Sequence, residues 1–507
     1  MIDNSIFLTL LIFVPVVIGF VGCIFPKSFY WIGFITLFAY AIMSLIGYLT
    51  GFEYSYQLAI KEGIPFSFDN YSLPLIFGSA IVILITFLIK NKIFSHYFYQ
   101  ICFILFSALS ISFLSKDLIS LYIALELTGF CAFLLVADRN DPKSLFNSFQ
   151  YLIGGGLAML IYLIGVIQAF TYNGSFLLDD LIDAPPIALC LISAGLLTKA
   201  GIFLCGVWVP NVYSHANSQS SAILSGCVTC AAVAPLSRMS TILDPIGNSL
   251  IIIGILSSIF GAIFALLESN DGRTLGWSSV SQLGIAILSP SYGCLYAMQH
   301  GICKTILFLT LERNEKETTI YSNNSDKLLL NNKDFEEIIK IAAFLIASLS
   351  ISGLPFLSGF ITKVLIKNDL PKAALLIFDS GALLTSVVYV KLISSRIKNL
   401  NIKNIFKQIF NNFRFNFLNI LTSTNLTLIS VCIALFGFSF LQSKYFSFDK
   451  VQMSFITIVL GFVFFVSFAG LESNRDVTKF TKTIDIIGAP FVIAALLLAN
   501  LTYLKIL

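Results

Sequence analysis

Long apolar runs separated by short polar breaks repeat along the whole chain. A helix needs roughly 20 apolar residues to cross the hydrocarbon core of a bilayer. That length predicts spans near 5–25, 29–49, 71–89, 97–115, 117–137, 146–170, 187–210 and 218–240. Further spans are predicted near 249–268, 276–290, 293–311, 337–366, 372–394, 416–440, 452–470 and 484–504. The run 276–290 is the weakest, being short and polar at its start. The first run is not expected to be a cleaved signal. Met1-Ile2-Asp3-Asn4 carries no positive charge, and Pro26-Lys27 follows where a small-residue cleavage site would stand.

Composition agrees with a lipid environment. Of the 507 residues 57% are hydrophobic and 11% charged, and mean hydropathy is +0.89. Soluble domains carry about twice that share of charge. A soluble enzyme, a disulfide-stapled secreted domain and a disordered regulator are excluded, and a net charge of +4 spread over many loops leaves no footprint for nucleic acid. Cysteines such as Cys102, Cys131, Cys190 and Cys432 sit singly in apolar runs. Cys227 and Cys230 have two residues between them but no second pair, so no metal site is expected. No haem, iron–sulfur, flavin or nucleotide motif is present, so no cofactor is expected.

Loop charge orients the spans. Loops after odd-numbered spans hold most of the basic residues, among them Lys90, Lys92, Arg139, Lys143, Arg273, Arg396 and Arg475. The even-numbered loops and the C-terminal tail hold few, and Asp179, Asp180 and Asp183 lie on one of them. By the positive-inside rule the odd loops are cytoplasmic, and both chain ends are expected on the non-cytoplasmic side. The polar stretch 312–336 reads as a cytoplasmic loop. The basic, aromatic stretch 395–415 reads equally as an interfacial helix or a loop.

The informative residues are the charges inside the spans, where each costs about 2.5 kcal/mol or more unless it faces protein or water. Glu126 is midway along the fifth span and Lys199 midway along the seventh. His300 and Lys304 share a face of the eleventh at i and i+4, and Lys363 ends the twelfth. Arg238, Lys340 and Lys391 lie nearer span ends and are expected to snorkel to the interface. An isolated Glu126–Lys199 ion pair would add little net stability, and one acidic partner cannot neutralise the whole basic series. Buried lysines exchange protons more readily than exposed ones. A row of such groups joined by water is the chemistry of proton translocation.

Two spans read as broken. Gly195, Gly201, Gly206 and Pro210 surround Lys199, while Gly353, Pro355 and Gly359 precede Lys363. Freed backbone groups at membrane depth are tolerated only beside protein or water, and paired interrupted helices point to an ion path. The lysine precedes the proline in the seventh span and follows it in the twelfth, which runs the other way. This order suggests two inverted repeats, spans 4–8 and 9–13. The expected organisation is helices 1–3 in residues 1–96, the repeats in 97–240 and 249–394, and a basic loop with the last helices in 395–507. The expected fold is an all-α polytopic membrane protein of about 14–16 transmembrane helices.

These residues resemble the antiporter-like, proton-translocating membrane subunits shared by respiratory complex I and the multisubunit sodium/proton antiporters. The resemblance covers roughly 75–395. It rests on Leu121-Tyr122 with Glu126, Lys199 with Trp208-Val209-Pro210, Ser221 to Gly226, Asp271 to Arg273 with Ser278 to Gly284, His300 with Lys304-Thr305, and Ser350 to Lys363. It implies a proton path through Glu126, Lys199, His300, Lys304 and Lys363, and partner subunits in the membrane. It also implies H+ and, in an antiporter, Na+ as the ions moved. The chain departs from the family pattern at three places. Cys230 stands where a helix-eight lysine is usual, Gly206 where complex I members tend to have histidine, and Asn211 where an aspartate follows the proline. Tyr213 and Lys363 fit the D-type subunit of the antiporter complexes, and the last two spans exceed the family's usual fourteen. The expected function is a proton or monovalent-cation translocating subunit of a multisubunit Na+/H+ antiporter. The alternatives are a pumping subunit of a complex I-type oxidoreductase, a structural subunit that has lost pumping through Cys230, and a solute transporter, for which no polar aromatic cavity is evident.

Overall fold

A computed structural model of the chain describes residues 4–24, 26–58, 63–89, 96–311, 327–398, 423–441 and 446–468. The first predicted spans form α1 (Asn4–Ile24), α2 (Pro26–Thr50), α3 (Ser72–Leu88), α4 (His96–Leu114), α5 (Leu118–Val136) and α6 (Pro142–Asn173). The seventh divides into α7 (Pro186–Lys199) and α8 (Trp208–His215). The eighth divides into α9 (Ser218–Gly226), a 3-10 turn Val228–Ala232, and α10 (Val233–Ile242). Then come α11 (Asp244–Leu267), α12 (Asp271–Ala286) and α13 (Gly293–Thr310). The twelfth divides into α14 (Lys327–Ser352) and α15 (Ser358–Asp369), and α16 (Lys372–Lys398), α17 (Ser423–Leu441) and α18 (Phe448–Phe468) follow. The sixteenth predicted span, near 484–504, and most of the basic stretch 395–415 lie outside the described residues. Among the described residues, eight segments are long and apolar enough to cross a membrane on length and composition.

Local sequence sets the ends. Asp117 caps α5 by accepting from the Ser120 amide at 2.6 Å, and Asn217 caps α9 by accepting from the Ser220 amide at 2.7 Å. Asp141 caps α6 with Pro142 in its first turn, and Gly174 ends that helix at φ 70°.

One element departs from the all-helical expectation. Tyr54–Leu58 and Ile64–Phe68 pair antiparallel, Tyr54 opposite Phe68. Tyr54, Tyr56 and Leu58 alternate with polar residues, a period of two that the dominant apolar runs mask. Asp69 follows the hairpin and accepts from the Tyr71 and Ser72 amides at 3.1 and 2.9 Å, just ahead of α3.

The core of the bundle is α9, α10, α12 and α13. The window Ser218–Ile242 is wholly buried, whereas α18 presents nearly all of its length outward. Without a hydrophobic force between helices in lipid, close packing needs small residues. A Cβ on Gly301 of α13 would lie 2.4 Å from the Gly226 carbonyl oxygen of α9, so the two backbones touch there. Hydroxyls and amides knit the same region: Ser225 to Ser279 at 3.0 Å, Ser278 to Tyr389 at 2.8 Å, and Gln282 to Thr385 at 3.1 Å.

Two basic residues expected to snorkel do not. Arg238 is 4% exposed and donates from Nε and Nη2 to the Asp69 carboxylate at 2.9–3.1 Å, locking α10 to the start of α3. Lys391 donates to the Ala265 and Leu266 carbonyls at 3.1 and 2.8 Å and to that of Glu268, closing the C-terminus of α11. A paired guanidinium and a helix end with unfilled acceptors hold these cations where water otherwise would.

Candidate functional site

Two helix breaks position the lysines, and both are made by the same local device. At the end of α7 the Ile202 amide donates to Leu197 and the Gly201 amide to Thr198. At the end of α14 the Leu354 amide donates to Leu349 and the Gly353 amide to Ser350. This crossed pair of bonds is a Schellman cap, and it needs a left-handed residue just past the helix. Gly201 at φ 66° and Gly353 at φ 94° supply it. Three residues later each chain reverses through a second left-handed residue, Leu204 or Phe356, both at φ 71°.

Sequence reading counted Pro210 with Gly195, Gly201 and Gly206 as breaking the seventh span, and the structure puts the break before the proline. The unwound stretch runs from Ala200 to Val207, and Pro210 sits in the first turn of α8, where its missing amide leaves no bond unmade. Pro355 lies inside the second break, between α14 and α15. Gly206 is required by geometry: a Cβ there would stand 2.1 Å from the Gly201 carbonyl oxygen. A histidine at 206, the residue usual in one branch of the resembling family, has no room in this backbone.

Lys199 is the last residue of α7 and is 8% exposed. Its Nζ lies 3.6 Å from Glu126 Oε1 on α5. Space for the ammonium comes from glycines that face it. A Cβ on Gly129 would be 2.7 Å from Nζ, and one on Gly155 of α6 would be 3.5 Å away. Glu126 keeps 37% of its side chain exposed, between Ile123 and Phe130, which are 60% and 51% exposed. Trp208 donates its indole N–H to the Thr198 carbonyl at 3.3 Å, a second donor on the acceptor that already takes the Gly201 amide.

The 3-10 turn holding Cys230 packs against α5, α7 and α13. Cys230 Sγ is 3.7 Å from the Ala297 carbonyl oxygen, one turn before His300. His300 is 1% exposed, and neither ring nitrogen has a hydrogen-bond partner among the described residues. Lys304, fully buried, donates to the Leu275 carbonyl of α12 at 2.7 Å and lies 5.7 Å from the Tyr389 ring centre. Lys363 on α15 is 7% exposed and donates to the Ser352 carbonyl, the end of α14, at 3.3 Å. Asn211 accepts from Arg273, which also pairs with Glu268 at 2.8 Å.

Sequence reasoning missed Gly129 and Tyr389. Gly129 falls in the same stretch as Glu126, but only the packed helices show what it faces. Tyr389 carried no charge to single it out, yet it stacks its face toward Lys304 and bonds Ser278.

A family model described as NADH:quinone oxidoreductase/Mrp antiporter, transmembrane, matches residues 115–378. The NADH-quinone oxidoreductase subunit N of Desulforudis audaxviator is 28% identical over 312 residues. That stretch is 55% of this chain and 60% of the relative, so the match spans well under two thirds of the relative's length. A chain in the Mrp complex of Dietzia sp. DQ12-45-1b superposes with TM-score 0.67 at 19% identity, covering 77% of this chain and 79% of that one. A chain in respiratory complex I of Thermus thermophilus gives TM-score 0.66 at 19% identity, covering 86% and 97%. At these identities the superpositions speak for the fold.

Proposed function

Since the chain belongs to the NADH:quinone oxidoreductase/Mrp antiporter transmembrane family, we propose that it translocates protons as a membrane subunit of a multisubunit assembly. The observation that carries this reading is the Glu126–Lys199 pair beside a broken helix, at 3.6 Å. Glu126 favours the ammonium of Lys199 while the two are close. A shift of the unwound segment, or of a partner against the exposed side of Glu126, separates them, and Lys199 then releases its proton inward. The donor and acceptor nitrogens of His300 relay it with Lys304, and Lys363 delivers it to one face of the membrane. Cys230 carries no cationic form, so water bridges that step. An intramembrane carboxylate on the outer face of α5 is costly against lipid, which supports cover by another subunit.

The matching breaks at Gly201 and Gly353 support reading 97–240 and 249–394 as two repeats. Loop charge supports placing both chain ends on the non-cytoplasmic side. Tyr213 and Lys363 favour an antiporter driven by an existing ion gradient, moving H+ against Na+. The name of the Desulforudis audaxviator relative favours the second reading, a pump driven by electron transfer in partner subunits. Lys199→Ala in the intact assembly is expected to abolish proton flux while co-purification of subunits is unchanged; normal flux would sink the proposal. Mass identification of the co-purifying subunits decides between the two drives. Flavin or iron–sulfur partners mean the redox pump, and only antiporter homologues and small hydrophobic subunits mean the antiporter.

A further inference from the structure

Lys363 has a basic neighbour on its own helix. Lys367 follows it by one turn of α15, so the two side chains share a face. Both line one cavity of about 200 Å³, bounded by α16 and by α18, a helix beyond the matched region 115–378. Ser454 of α18 donates to the Gly353 carbonyl in the helix break at 2.5 Å and holds that wall in place. Asp449 and Lys450 bring further charge from α18. On the α16 wall Asp379 forms an ion pair with Lys367, whose ammonium also lies 5.9 Å from the Phe378 ring centre. The two partners are 31% and 35% exposed, whereas Lys363 is 7% exposed. The pair therefore sits toward the mouth and Lys363 toward the base. Of the other helices packed against α15, α13 carries His300, Cys303 and Lys304, the last engaged by Leu275, α14 carries Glu337 and Lys340 some three turns or more before the break, and α17 carries Cys432. Among the described residues no carboxylate forms an ion pair with Lys363 itself.

Two ammonium groups a turn apart in a half-enclosed site repel, and a carboxylate on one of them cancels most of what the other feels. We propose that Asp379 is a positioning residue for proton transfer at Lys363: it neutralises Lys367, and so lets Lys363 hold a proton in a water-reached cavity walled by α18. The Lys363 ammonium then passes its proton to cavity water and becomes a neutral amine. This inference rests on the translocation reading above.

The test uses the intact assembly reconstituted in vesicles, with proton flux measured beside subunit co-purification. Asp379→Asn is expected to lower flux about tenfold, the effect of one uncompensated charge a turn away after allowance for its partial exposure. Adding Lys367→Met to that variant is expected to restore flux to near the unmodified level, which loss of a merely structural contact would not do. In parallel, Thr457→Cys on the cavity wall is expected to react with a small charged thiol reagent, and Leu460→Cys on the outer face of α18 is not. Unchanged flux in Asp379→Asn, no rescue in the double variant, or an unreactive Thr457→Cys overturns this inference and leaves the translocation reading standing. No flux from the unmodified assembly overturns both.

Discussion

The two broken helices share a backbone and differ in what faces the lysine. In each, a Schellman glycine is followed three residues on by a left-handed apolar residue, and a second glycine makes a close backbone approach, Gly206 to Gly201 in the first break and Gly359 to Ser350 of the incoming helix in the second. Lys199 closes the incoming half-helix and meets a full carboxylate, Glu126, at 3.6 Å. Lys363 lies in the outgoing half-helix and, among the described residues, meets the terminal carbonyl of α14, at 3.3 Å, and no carboxylate. The partial negative charge at a helix C-terminus takes the place of an acidic side chain. A carboxylate on a neighbouring helix can move away from its lysine, whereas a carbonyl within the same break moves with it. On the proposed translocation mechanism, the first break would act as the switch and the second would hold its lysine in place.

The shared backbone is the part whose loss costs most. Gly206→Ala would put a Cβ 2.1 Å from the Gly201 carbonyl oxygen, and Gly359→Ala one 1.8 Å from that of Ser350. Each is expected to destabilise the chain by about 3 kcal/mol, read as early thermal unfolding of the purified assembly. Equal losses would support one device used twice; a harmless change at either position would break the likeness.

Smaller substitutions probe the difference. Glu126→Gln is expected to lower flux about tenfold, since the ammonium loses its counter-charge but the partly exposed site limits the effect. Gly129→Ala crowds the Lys199 ammonium at 2.7 Å. The flexible end of a lysine can yield, so assembly should be normal and flux should fall about threefold from misplacement of the group. The smallest effect concerns strain. Phe356 is left-handed and 55% exposed, with its ring stacked on Phe446 at 5.5 Å, so Phe356→Gly exchanges relieved strain for a lost contact and should raise thermal stability by no more than about 1 kcal/mol. Leu204→Gly should gain less, because the leucine is half-buried and packs on the core.

Much of the fold was legible because lipid imposes a simple length rule. Fifteen predicted spans meet helices, from α1 to α18. Where the reading slipped, a local signal was overread or hidden. Pro210 drew attention as a helix breaker, although a proline in a first turn breaks nothing, and Gly201 had already ended the helix. The hairpin at Tyr54–Phe68 alternates over only five residues per strand, too few to stand out among apolar runs. Arg238 and Lys391 looked like interface anchors because their partners, Asp69 and the end of α11, are distant in sequence or belong to the backbone.

By itself the sequence determined which stretches enter the membrane and which charged residues go with them, since apolar length and the cost of a buried charge are properties of the chain alone. It also marked Gly353 as a break, whereas the end of α7 at Gly201 emerged only from the backbone hydrogen bonds. Only the tertiary structure decided what each charge meets: Glu126 for Lys199, the Leu275 carbonyl for Lys304, the Ser352 carbonyl for Lys363, and Asp379 for Lys367. Those partners lie on other helices or on backbone atoms freed by a break, and electrostatic pairing depends on distances that packing sets.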